Sequence, residues 1–444
     1  MVVRALSKQK LVLFAVLSLV FILSGCTAFG FQVGQSKDPK PTATPISVTV
    51  PSCRPSCAVP GVRQFVDTWD NIHLLQSFDY HIKNPSTIAQ YYDFIWGVAP
   101  KNVAAFRRGN PNVFISYYIP FHRDNGTFLN SDLGQQHDLN YWHSSHPNWV
   151  LYKCDRVTPA NEYGDPNIPF DFTNQDVINW QVQTYAQPAS MNGYDGIAAD
   201  NLNLENLYGA CGFYKNGQWT QRYSGEVNDP QWRADILSWV TNMQSALHAL
   251  QHPLALIPNI GFGSISLADP IVGQIVSHVD GVFDEAGFTR YGDGYLTDDN
   301  WLHAIQFIRE VQNEQHKPYY ISNEFKSSSV DHNQIQWVLA SYLLSKEHSS
   351  SVFITNTMNN VQGYGADRRY SVYDAKIGNP RSDIYFAQNV YWRDYSNGLV
   401  VVNSSDTNAY TVKTSGTTYA DLYGNPVAQT FTLPSHSGMV LIPG

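Results

Sequence analysis

Two short stretches, far apart along the chain, restrict what it can fold into more than any other feature. Asp195-Gly196-Ile197-Ala198-Ala199-Asp200-Asn201 and Asp280-Gly281-Val282-Phe283-Asp284-Glu285 share one plan. Each opens on Asp-Gly, runs through small or apolar residues, and reaches a carboxylate five residues after the opening Asp. An apolar run without alternation suits a strand covered on both faces, as in a parallel sheet. A carboxylate at the end of such a strand stands at the carboxyl edge of the sheet, where α/β folds place their chemistry. The two copies therefore predict equivalent strands that bring Asp200 and Glu285 to one rim.

The rest of the chain supplies the neighbours. Short apolar runs at 73–78, 93–96, 113–118, 196–200, 254–259, 281–285, 318–322 and 352–355 read as strands. Amphipathic segments at 176–186, 231–250, 270–278, 299–315 and 332–347 lie between them. Eight strands alternating with helices predict an α/β fold, a (β/α)8 TIM barrel, over residues 62–384. An open doubly wound sheet is the alternative, but no Gly-rich phosphate fingerprint opens any of these helices. From residue 385 short β-type runs are parted by Asn-Gly, Ser-Gly and Gly-Asn turns. Residues 385–444 are therefore expected to form a small all-β, β-sandwich-like C-terminal domain without a catalytic constellation.

Two connections are long. Residues after the third strand carry His122, His137, Tyr141, Trp142, His143, His146 and Trp149, and those after Asn201 carry Tyr208, Phe213, Tyr214, Trp219 and Tyr223. Both follow carboxyl strand ends, and loops of that length in a compact domain are usually functional. They read as the walls of a substrate cleft. A net charge of -9 with no basic run argues against nucleic acid as a partner. Aromatics at 14% against 15% charged residues fit a protein that stacks on neutral sugars, and fit an ordinary large core equally well.

Arg4, Lys8 and Lys10 precede an apolar run from Leu11 to Leu23 that ends in Leu23-Ser24-Gly25-Cys26. This reads as a signal peptide over residues 1–26, with lipid attached to Cys26 after cleavage. A plain signal peptide or membrane anchor is the alternative. Residues 27–61, rich in Pro, Thr, Ser and Lys, read as a flexible tether. The expectation is a bacterial cell-surface lipoprotein, held to the membrane by its lipid alone. Of the remaining cysteines, Cys53, Cys57, Cys154 and Cys211 are even in number and allow three pairings in an oxidising compartment. We favour Cys53 with Cys57 and Cys154 with Cys211, the second tying the two long loops together. Zinc at Cys53 and Cys57 is the weaker alternative.

Strand alternation decides which acids can meet, because residues two apart share a face. Ala198 and Asp200 share one face, and Phe283 and Glu285 share the corresponding one. Asp284 then faces away, and remains the second choice should the parity invert. Two carboxylates across a cleft are what glycosidic bond cleavage needs: one protonated, to donate to the leaving oxygen, and one ionised, to attack the anomeric carbon or activate water. We assign Asp200 as nucleophile or base and Glu285, the longer, as general acid. Asp79, Tyr117, Tyr118, Asn201, Asn259, Asn323, Glu324 and Asn356 are polar residues at strand ends and are expected to bind the carbohydrate substrate or hold the acids. There is no Gly-x-Ser-x-Gly elbow or His-Glu-x-x-His pair. No metal or cofactor enters the reading.

With these residues in place, the chain resembles the glycoside hydrolases of the α-amylase-like barrel type, above all hypothetical glycosyl hydrolase family 15. The resemblance rests on residues 194–201 and 280–285 and on the trailing β domain. The first motif also resembles that of endo-α-1,4-polygalactosaminidases, whose fourth-strand acid and later Glu would fall on Asp200 and Glu285. Amylases carry an Arg two residues before the nucleophile, and this chain has Ala198 there. The resemblance implies hydrolysis of a poly- or oligosaccharide. A non-catalytic carbohydrate-binding lipoprotein on the same scaffold is the alternative.

Overall fold

Asp-Pro steps start two of the helices in this computed structural model, which describes residues 60–65, 71–124, 137–161, 168–260, 267–356 and 369–444. Asp229 accepts hydrogen bonds from the Gln231 and Trp232 amides, and Asp269 from those of Ile271 and Val272. In both, Pro takes the first helical position, where no amide hydrogen is needed. These are α3 (Pro230–His248) and α4 (Pro270–Ser277), with α1 (Val103–Gly109) and α2 (Gln175–Gln181, continued to Met191 through a π-turn) before them. After them come α5 (Asp298–Asn313) and α6 (His332–Ser345), the latter opened by a capping box between Asp331 and Gln334.

The helices alternate with parallel strands. β1 (Leu75–Ser77), β2 (Phe94–Trp96), β3 (Phe114–Pro120), β4 (Gly196–Asp200) and β5 (Ala255–Pro258) form one sheet in that order. β6 (Val282–Asp284), β7 (Tyr319–Phe325) and β8 (Ser350–Asn356) form a second. Two single parallel bridges join the sheet edges, Asn259 to Phe283 and Leu74 to Val352. Every strand of both sheets sends at least one side chain into one apolar cluster: Leu75, Phe94, Phe114, Ala198, Ile257, Phe283, Tyr320 and Phe353 among them. The opposite face packs against the helices, with Ile197, Ala199, Val282 and Ile321 in that outer layer. Phe65 caps the amino end of the inner cluster, its ring 4.2 Å from that of Phe114.

The opening Asp of each sequence motif is a bolt between strands. Asp195 accepts from the Ile115 amide at 2.8 Å, and Asp280 from the Leu256 amide at 2.8 Å. Each thereby fixes its strand to the preceding neighbour.

The chain from Tyr385 onward is all β. A six-stranded antiparallel sheet packs Leu399, Val401 and Leu441 against a two-stranded ribbon (Tyr410–Lys413 with Thr430–Leu433) through Val412 and Leu433. Its other face, with Val400, Val402 and Val440, joins the core around α6. Buried Arg393 donates to the Leu343, Leu344 and Lys346 carbonyls at the end of α6. All the described residues lie within one compact unit, 48–444. Among them no helix is long and apolar enough to cross a membrane.

Candidate active site

The acids of the two motifs meet. β4 ends at Asp200 because Asn201 turns into the left-handed region at φ +62°, where Asn is among the more tolerant residues. The Asn201 amide folds back onto Asp200 Oδ1 at 2.8 Å. Tyr118, on the neighbouring β3, donates its hydroxyl to Asp200 Oδ2 at 2.7 Å. Burial, and then the Asp200 charge, push the Tyr118 hydroxyl pKa well above its usual value, so it stays a donor. Across from Asp200, Glu285 follows β6 with the parity of Phe283, an inner-cluster residue.

Asn259 joins them. Its side-chain nitrogen donates to Asp200 Oδ1 at 2.9 Å and to Glu285 Oε2 at 2.8 Å. The two acceptor oxygens are therefore no more than about 5.7 Å apart. Beneath them lies an aromatic floor. Trp96 stacks on Phe283 at 4.3 Å and meets Tyr118 edge-on at 5.5 Å. Phe78, held at φ +57°, stacks against the exposed ring of Tyr80 at 4.8 Å. This floor was not expected from the sequence, although the alternation of Phe94 and Trp96 on β2 carries the signal.

Several expected substrate-binding residues turn out to hold the frame. Tyr117 lies on the outer face of β3, buried against the rings of Tyr194 and Tyr185, because alternation gives the cleft side to Tyr118 alone. Asn323 also faces outward. It accepts from the Phe288 amide at 2.8 Å and donates to the Phe353 carbonyl at 3.3 Å, fixing the turn after Glu285. Asn356 donates to the Ser327 carbonyl, and buried Asp79 accepts from the Ala99 amide and the Asn102 side chain. Burial raises the Asp79 pKa. Glu324 is buried on the inner face of β7, two residues beyond Ser322 and four beyond Tyr320.

Asp284, the second-choice acid, accepts from the Ala286 and Gly287 amides and from the Tyr319 hydroxyl, and burial raises its pKa. It caps the turn that follows and leaves the inner face to Glu285.

The two long loops pair with each other. Tyr152–Lys153, from the loop after β3, pairs with Ala210–Lys215 from the loop after β4, which pairs in turn with Gln218–Gln221. A disulfide between Cys154 and Cys211 clamps this small sheet. His122 and Tyr208 pack ring on ring at 4.5 Å beside Asn201, whose carbonyl accepts from the Tyr208 hydroxyl. Burial, and then the Arg123 charge, push the His122 pKa well below its usual value and keep the ring neutral. Cys26, Cys53 and Cys57 lie outside the described residues. No group of three or more His, Cys, Asp or Glu side chains among the described residues is arranged to hold a metal ion.

The sequence signature of hypothetical glycosyl hydrolase family 15 matches residues 107–399, a span that contains Tyr118, Asp200, Asn259 and Glu285. The chain belongs to this family. No curated protein matches it. Among solved structures, this family 15 chain is similar to a noncanonic maltogenic α-amylase, AmyB, from Thermotoga neapolitana, with 12% identity, a TM-score of 0.47, and 84% of this chain and 98% of that one covered. It is also similar to an α-amylase from Malbranchea cinnamomea, with 11% identity, a TM-score of 0.43, and 84% and 96% covered. The trehalulose synthase MutB from Pseudomonas mesoacidophila gives 9% identity, a TM-score of 0.47, and 84% and 99% covered.

Proposed function

We propose that this family 15 protein hydrolyses the glycosidic bonds of a poly- or oligosaccharide, with Asp200 and Glu285 as its reacting pair. One observation carries the reading: a single amide nitrogen reaches both carboxylates, at 2.9 and 2.8 Å. Glycosidases that retain anomeric configuration place their carboxyl groups about 5–5.5 Å apart, and inverting ones about 6.5–9.5 Å to admit a water. The short separation favours retention. Asp200 attacks the anomeric carbon as Glu285 gives its proton to the leaving oxygen. The glycosyl ester on Asp200 is then hydrolysed by a water that returns its proton to Glu285. Tyr118 and the Asn201 amide hold the Asp200 oxygens for the attack.

The scaffold we infer is a closed (β/α)8 barrel with the C-terminal β domain beside α6. The bridges Asn259–Phe283 and Leu74–Val352 support closure at both seams. We further propose that the protein works outside the cytoplasm as a surface lipoprotein. The Leu23-Ser24-Gly25-Cys26 sequence supports the lipid anchor, and the Cys154–Cys211 disulfide fits an oxidising compartment. Release of reducing ends from a glycan panel tests the catalytic assignment. Asp200→Asn and Glu285→Gln are each expected to abolish it while leaving the unfolding midpoint near that of the wild type. Turnover that survives both changes refutes the assignment.

A further inference from the structure

Asn259 follows β5 and sits between the two strands that carry the acids. Its amide donates to the Ala199 carbonyl of β4 at 2.7 Å, and it bridges to Phe283 of β6. The backbone is thus pinned on both sides, and the residue is 6% exposed. Both bonds from Nδ2 go to carboxyl oxygens, which take them as acceptors, and this fixes the orientation of the amide.

That orientation has a cost. Asn259 Oδ1 is buried and meets no donor among the described residues. Buried acceptors are nearly always satisfied, and an exception calls for a reason. Here the reason lies at the other end of the amide. Turning it over would point an oxygen at both carboxyl groups.

We propose that Asn259 is the positioning residue of the acid pair, a role that rests on the reading of Asp200 and Glu285 as the reacting groups. Its two amide protons hold the two carboxyl groups at one separation. Without them the donor that the two groups share is gone, and nothing ties the place of one acid to that of the other. Asn259 does not touch the bond that breaks. It acts by keeping one acid within reach of the anomeric carbon while the other reaches the leaving oxygen.

The test uses Asn259→Leu, close in size but with no donor, and Asn259→Val as a second variant in case the first does not fold. Crystal structures of the full chain report the Asp200–Glu285 separation, and 4-nitrophenyl glycosides of both anomeric configurations report turnover. The expected result is a separation beyond the roughly 5.7 Å that the shared nitrogen allows. With it, kcat falls about 100-fold, the scale of loss from a misplacement of about 1 Å, while KM stays within about three-fold. If the separation is unchanged in the variants, the positioning role is overturned and the hydrolase reading stands. If the acids part and turnover is unchanged, the proposal and the catalytic assignment fall together.

Discussion

Replacing both Cys154 and Cys211 by Ala probes the link between the two long loops. The disulfide joins residues 57 apart, and the segment it encloses contains α2 and β4, the strand that ends on Asp200. Closing a loop of that length restricts the unfolded chain by an amount worth about 4 kcal/mol at 25 °C. Cross-links of this kind commonly deliver about 2–4 kcal/mol. The double variant is expected to lose that much unfolding free energy in a denaturant titration. Limited trypsin digestion reports the local effect, because Arg156 is exposed beside the small sheet that the disulfide clamps. Cleavage there is expected to be faster in the variant, and wild-type protein treated with a reductant should follow it. Equal unfolding free energies and equal cleavage rates would refute the claim that this link holds the two loops together.

Two further expectations concern the frame. Burial holds the carboxyls of Asp79, Asp171 and Asp284 above their ordinary value of 3.8. In the window above that value the native state binds more protons than the unfolded one, so unfolding free energy falls as pH rises through it. Asp79→Asn should make that fall shallower in denaturation curves taken from about pH 4 to 6, and curves parallel to the wild type would contradict the assignment. Gly438 lies against α6, where an added Cβ would meet the Ala340 Cβ at 2.7 Å and the Gln336 carbonyl at 3.2 Å. Gly438→Val should cost about 1–3 kcal/mol in a denaturant titration, and no loss would show that the β domain does not pack there.

The strands were readable because they are apolar and end on polar residues, and the helices because their apolar residues recur on one face. That Asp200 and Glu285 approach one another was readable from parity, since Ala198 and Phe283 point inward two residues before them. The same rule was applied too loosely elsewhere. Tyr117 and Tyr118 were both assigned to the cleft, as were Asn323 and Glu324, yet neighbours on a strand face opposite sides. The roles of Asp195 and Asp280 were missed, because an Asp that accepts from the next strand's amide leaves no local pattern. The pairing of Tyr152–Lys153 with Ala210–Lys215 joins segments with no shared periodicity, and only the cysteines hinted at it.

The stereochemistry of the first product tests the acid pair most directly. Proton NMR of a glycan, recorded in the first minutes of cleavage before mutarotation, distinguishes the anomers. Carboxyl oxygens no more than about 5.7 Å apart predict a product with the configuration of the bond that was cut. A product of opposite configuration would require a water between the acids, and would contradict the separation that Asn259 sets.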